Sequence, residues 1–154
     1  MQKVPLIELP EFVRNVTAML AMDRHNTKAV VLGLRGELGA GKTTFVQQLA
    51  RQMGVREVVQ SPTYVLMKKY ALPDGLNPMG QKRRFKNLVH IDAYRLENPK
   101  EFAALKPAEF LDDPSNLVVV EWPERLGSAL PKADLNLSFS ADGAGEQERY
   151  IEVI

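Results

Sequence analysis

The sequence predicts an α/β fold, a mixed β-sheet flanked by helices and closed by a C-terminal β-hairpin. Three observations carry this. Two short apolar runs, "AVVLGL" (29–34) and "NLVVVE" (116–121), have the composition of strands covered on both faces. The segment "FVQQLARQM", shortly after the first run, repeats its apolar residues at helical spacing. The tail 135–154 alternates in the manner of strands on either side of the turn-forming "ADGAG".

Taken in order, "VPLIEL" (4–9) reads as a short strand. Pro10 suits a first helical position, where the missing N–H costs nothing, and Phe12, Val13, Val16, Met19 and Leu20 then mark one helical face. The run 29–34 is a buried strand. Phe45, Val46, Leu49, Ala50 and Met53 form the next helical face, and Gly54 is a natural stop. Residues 58–72 are rich in Val, Tyr and Thr and read as extended. "PDGLNPMGQKRR" (73–84) is dense in turn formers and predicts a long loop or the tip of a β-ribbon. "FKNLVHID" returns as a strand ending at Asp92. Asn98 can cap and Pro99 can open a helix through about Leu105, and Pro107 begins another short turn. The run 116–121 and the hairpin complete the sheet.

With 154 residues the chain is expected to form one domain, 1–154. Twenty basic against nineteen acidic side chains leave a net charge of +1, so no global field marks a nucleic-acid binder. The absence of cysteine excludes disulfides, thiolate metal sites and thiol catalysis. No apolar run approaches the roughly 18 residues of a membrane span, and "MQKVPLIELPEF" lacks the apolar core of a signal peptide. A cytoplasmic protein without membrane association is expected.

The chemistry is concentrated in Gly36-Glu-Leu-Gly-Ala-Gly-Lys-Thr43, which fits G-x-x-x-x-G-K-[ST] without a mismatch. Glycines let such a loop curl until successive backbone N–H groups face phosphate oxygens, and the following helix adds its positive end. The motif lies between an apolar strand and an amphipathic helix, the context its mechanism requires. It makes the fold P-loop NTPase-like and assigns nucleotide binding to Glu37, Leu38, Gly39, Ala40, Gly41, Lys42, Thr43 and Thr44. Lys42 can reach the β- and γ-phosphates, and the Thr43 hydroxyl can ligate Mg²⁺. A second carboxylate at a strand end normally joins such a metal. Glu121 ends the uninterrupted run "LVVVE" and is the better candidate. Asp92 ends the more polar "LVHID" and would orient the attacking water or complete the Mg²⁺ shell. Trp122 is on these grounds as compatible with core packing as with a nucleotide contact.

The blocks "GELGAGKTTFVQQL", "SPTYVL", "HIDAYRL" and "VVVEWPER" together resemble the bacterial TsaE family over nearly the whole chain. That family consists of small ATPases needed to make N6-threonylcarbamoyladenosine in tRNA, working with the proteins TsaD and TsaB. The resemblance implies ATP and Mg²⁺ as cofactors, and hydrolysis that is slow alone and stimulated by partners. It implies that Lys42 holds phosphates, that Thr43 and Glu121 hold Mg²⁺, and that Asp92 is needed for hydrolysis. It places Thr63 of "SPTY" near the γ-phosphate as a switch-like contact and Trp122 beside the nucleotide. Two departures stand out. "LPDGLNPMGQKRRFK" (72–86) is longer than the expected connection, and Glu146 stands where many relatives carry Arg, with Arg149 available instead.

Smaller signals are weighed separately. Lys82, Arg83, Arg84 and Lys86, with Lys68 and Lys69 across the same ribbon, could form a basic finger for tRNA phosphates. A solvated ribbon blunting a sheet edge is the preferred reading. His90 reads as a packed or hydrogen-bonded strand residue, because no second histidine lies close in sequence. Two other functions compete with this one. A small-molecule kinase would use "QKRR" as a lid, but no acceptor-binding element stands out. A guanine-nucleotide switch would need Asn-Lys-x-Asp, which the chain lacks.

Overall fold

A computed structural model describes residues 1–22, 27–76 and 82–154 of the chain. Its centre is β2 (Val30–Gly36), whose first five residues are all buried. β2 runs parallel to β5 (Asn116–Glu121) on one side and to β6 (Leu135–Ser140) on the other. β4 (Asn87–Asp92) lies parallel to β5. The margins are antiparallel: β3 (Met67–Ala71) pairs with β4, β7 (Glu148–Val153) with β6, and β1 (Gln2–Pro5) with β7. The resulting order is β1-β7-β6-β2-β5-β4-β3, the expected mixed sheet with a C-terminal hairpin.

Strand alternation divides the apolar residues between two cores. Leu32, Leu34, Leu117 and Val119 pack against α1 (Leu9–Ala21) and α2 (Lys42–Met53). Val31, Val118, Val120 and Ile91 face the opposite side, against Phe102 of α3 (Lys100–Ala103) and Phe110 of α4 (Ala108–Leu111). This is why the runs of β2 and β5 carry no polar alternation. The buried stripe of α1 is Leu9, Val13, Val16 and Leu20, at helical spacing, whereas Met19 lies outside it. α2 ends as expected, with Gly54 left-handed at φ 89° and its N–H returned to Arg51 and Ala50 carbonyls. Among the described residues no helix is long and apolar enough to cross a membrane.

Two expectations are corrected. The first strand spans Gln2–Pro5; Leu6–Glu8 form a 3₁₀ turn and Leu9 already belongs to α1. Pro10 occupies the first helical turn, so the helix starts one residue before it. Residues 58–72 are mostly not extended. Only Met67–Ala71 pairs, because Pro62 opens a turn closed by Val65 N–H on its carbonyl, and Leu66 adopts a φ of 64°. The long loop or ribbon tip expected over 73–84 falls partly on residues 77–81, which lie outside the described residues.

The ribbon's arginines turn inward. Arg83 donates to the carbonyl of Met53, the last residue of α2, at 2.8 Å. Arg84 donates to the carbonyls of Leu20 and Met22 at the end of α1, at 3.1 and 2.5 Å. Each cation satisfies helix-end carbonyls and complements the negative end of the dipole. Lys68 pairs with Glu57 at 3.1 Å. The cations are thus dispersed, and the exposed lysines of edge strand β3 blunt its pairing edge. Arg84→Ala is expected to lower unfolding free energy by about 1–2 kcal/mol. Urea unfolding checks this, and an unchanged midpoint would remove the capping role.

Candidate functional site

The phosphate loop joins β2 to α2, and two glycines explain why it can. At Gly36 (φ 133°) a Cβ would meet the Phe139 carbonyl oxygen of β6 at 2.3 Å, so the chain leaves the sheet there only without a side chain. Gly41 (φ 99°) occupies the left-handed N-cap of α2, and no side chain caps that helix. Its first-turn N–H groups therefore face the loop unclaimed by any capping side chain, the arrangement that suits an anion.

Lys42 is almost fully buried and donates to the carbonyls of Gly36 and Glu37 at 2.6 and 2.7 Å. Its ammonium lies 4.1 Å from the centre of the Trp122 ring. Burial lowers its pKa below the ordinary lysine value, opposed by the charges of Glu121, Asp92, Glu124 and Glu37. Trp122 reaches it through a left-handed backbone (φ 60°, ψ 49°), which is strained for a residue with a Cβ. The Trp122 N–H is held by the Leu34 carbonyl at 3.1 Å, and its ring packs on Tyr94 with centroids 5.2 Å apart. The tryptophan packs against the second core, and it also lines the cavity beside the loop.

The two carboxylates are neighbours. Asp92 and Glu121 stand opposite each other in the β4–β5 register, and Leu34 stands opposite Glu121 on β2, just before the loop. Glu121 accepts the Thr43 hydroxyl at 2.9 Å on Oε1 and 3.1 Å on Oε2. A hydroxyl and a carboxylate meeting beside a phosphate loop are the hard oxygen donors that Mg²⁺ takes. Among the described residues no three His, Asp or Glu side chains form a metal cluster of their own. Mg²⁺ takes several waters and substrate phosphate oxygens into its shell, so Thr43 and Glu121 would supply only part of it.

Asp92 has a separate set of partners. Its Oδ2 accepts Ser61 Oγ at 2.6 Å and Thr63 Oγ1 at 2.5 Å, and its Oδ1 accepts the Tyr94 N–H at 2.9 Å. The turn at Pro62 is what brings both hydroxyls to the carboxylate. Ser61 escaped sequence reasoning, although its position two residues from Thr63 was the available signal. His90 was read only as packed or hydrogen-bonded, and it is both: fully buried, with Nε2 2.9 Å from Glu121 Oε1. Strand periodicity sets it on the face of Asp92, two residues on.

Lys42, Thr43, Ser61, Thr63, Asp92, Glu121 and Trp122, but not His90, line a cavity of about 310 Å³ that includes Leu38, Gly39, Gly41, Thr44 and Arg149. Glu37 and Ala40 are loop members outside its wall; the Ala40 methyl is buried in the core. A smaller cavity of about 170 Å³ opens on the other side of Gly41 and Arg149, walled by Val4, Leu6, Phe139 and Ile151 and also by Glu146. Arg149 separates the two, its Cγ packing 3.4 Å from where a Gly41 Cβ would be.

A protein of Haemophilus influenzae, named tRNA threonylcarbamoyladenosine biosynthesis protein TsaE, is 31% identical over 89% of this chain and 77% of its own length. One of the same name from Streptomyces coelicolor is 43% identical over 78% of this chain and 76% of its length. The crystal structure of Bacillus subtilis YdiB superposes with a TM-score of 0.62 at 28% identity, covering 97% of this chain and 80% of that one. The fold is thus P-loop-like as well as mixed α/β. The family model for threonylcarbamoyl adenosine biosynthesis protein TsaE matches residues 8–151, and this chain belongs to the TsaE family.

Proposed function

We propose that the protein is a Mg²⁺-dependent ATPase required for N6-threonylcarbamoyladenosine modification of tRNA, working in the cytoplasm in complex with TsaB and TsaD. The observation that carries the reading is the meeting of Thr43 and Glu121 beside the phosphate loop, with Asp92 next in register. The relatives' names support the pathway, and the phosphate loop supports a nucleotide as the energy source.

In this reading the α-, β- and γ-phosphates lie along the backbone of residues 37–44. Lys42 leaves its resting carbonyls for the β- and γ-phosphates, and the Trp122 ring it vacates flanks the nucleotide. Thr43 and Glu121 hold Mg²⁺, which when bound neutralises charge on the phosphate oxygens. Asp92 orients the attacking water, and Ser61 and Thr63 fix its carboxylate from the neighbouring turn. Thr63 also senses the γ-phosphate, since its hydroxyl must choose between that group and Asp92. The apolar cavity beyond Arg149 seats the base, with the Arg149 side chain between base and phosphates. The cations of residues 82–86 have no essential part, because Arg83 and Arg84 serve the helix ends.

Phosphate release from ATP by the protein alone is expected to be slow and to rise at least about tenfold when TsaB and TsaD are added, a fall of about 1.4 kcal/mol in the barrier. Turnover indifferent to both partners would remove them from the mechanism. Phosphorylation of a nucleoside at many turnovers would make the protein a kinase instead.

A further inference from the structure

His90 is a buried polar side chain that the proposed mechanism does not use. It is fully buried on the face of β4 that carries Leu88 and Asp92. Its Nε2 lies 2.9 Å from Glu121 Oε1, and its Nδ1 is buried with no hydrogen-bond partner. An ionised carboxylate only accepts, so the ring nitrogen facing it carries the hydrogen. The partnerless Nδ1 means the ring is retained for one bond.

Packing alone would not select this residue. The same core face holds Leu88, Leu117 and Val119, and an aliphatic side chain there would avoid desolvating an imidazole. What the imidazole adds is direction. Glu121 Oε1 is held from inside the fold by His90 and meets the Thr43 hydroxyl from the loop side, which also approaches Oε2 at 3.1 Å. The carboxylate is thereby fixed in rotation before any cation arrives.

We propose that His90 is a positioning residue that orients Glu121 for a divalent cation through its Nε2–H. The proposal rests on the reading of Thr43 and Glu121 as the Mg²⁺ ligands. Groups that hold metal ligands from behind typically change metal affinity 10–100-fold when lost.

The test compares His90→Gln, whose amide reaches the place of Nε2, with His90→Asn, whose amide reaches only that of Nδ1, and with His90→Leu. A non-hydrolysable ATP analogue is titrated by calorimetry in EDTA and then across a Mg²⁺ series, with thermal melts alongside. In EDTA, affinity should stay within about twofold of the unsubstituted protein. The Mg²⁺ concentration giving half of the affinity gain should rise about tenfold in His90→Asn and His90→Leu and return to within about threefold in His90→Gln. An unchanged Mg²⁺ midpoint in His90→Asn overturns the proposal, as does a Gln variant no better than Asn. Loss of fold in both amide variants makes His90 a packing residue and also overturns it. If the unsubstituted protein binds the analogue with no gain from Mg²⁺, the ligand assignment fails and takes the proposal with it; no binding at all fails the nucleotide reading itself.

Discussion

Lys42→Ala is expected to weaken ATP binding by at least about 100-fold, a loss of roughly 2.7 kcal/mol or more. The ammonium is nearly buried, so its interaction with phosphate is little screened by water. It already sits at the loop, 2.6 Å from Gly36 O and 2.7 Å from Glu37 O, and needs only a small swing to meet β- and γ-phosphates. Charge-assisted bonds of this kind are about twice as strong as neutral ones. The same lysine gives binding a pH dependence. Burial lowers its pKa in the free protein, whereas bound phosphates favour the charged form and raise it again. ATP affinity should therefore fall as pH rises through the lowered pKa, and Lys42→Ala should lose that dependence. Calorimetry across pH reads both effects, and unchanged affinity in the variant would overturn the loop assignment.

Glu121→Gln should reduce Mg²⁺-dependent hydrolysis about 100-fold while leaving metal-free nucleotide affinity within a few-fold. The amide keeps the volume and can still accept hydrogen bonds from Thr43 and His90, so the melting temperature should move little. What it lacks is the negative charge. Glu121→Ala should do worse, because it also removes the hydrogen-bond partner of the buried His90 Nε2, a loss of about 1–3 kcal/mol. The contrast separates charge from scaffold. Normal Mg²⁺ titration and turnover in Glu121→Gln would mean that another group holds the cation.

The parts legible in the sequence were those with local causes. The β2 and β5 runs announce strands covered on both faces, and the glycines of residues 36–41 announce a loop that must curl. Glu121 and Asp92 could be picked as strand-end carboxylates, but only the β4–β5 register shows that they are opposite each other. Residues 58–66 misled because β-prone composition was overruled by the Pro62 turn that delivers Ser61 and Thr63 to Asp92. The helix-end roles of Arg83 and Arg84 were not legible, because their carbonyl partners lie 30 to 64 residues away in sequence. The left-handed backbone of Trp122 has no local signature either; the Leu34 carbonyl on a neighbouring strand holds it there.

In the proposed mechanism Asp92 and Glu121 divide the work of ATP hydrolysis, one serving the water and the other the metal. Phosphate release from ATP by Asp92→Asn, with Mg²⁺, TsaB and TsaD present, tests it most directly. The amide can keep its bonds to Ser61 and Thr63 but has lost the charge that aligns a nucleophilic water. Turnover should fall by about 100-fold or more, with ATP affinity and the Mg²⁺ midpoint within about threefold of the unsubstituted protein. Turnover equal to that of the unsubstituted protein would contradict the account, and so would a loss confined to Mg²⁺ affinity.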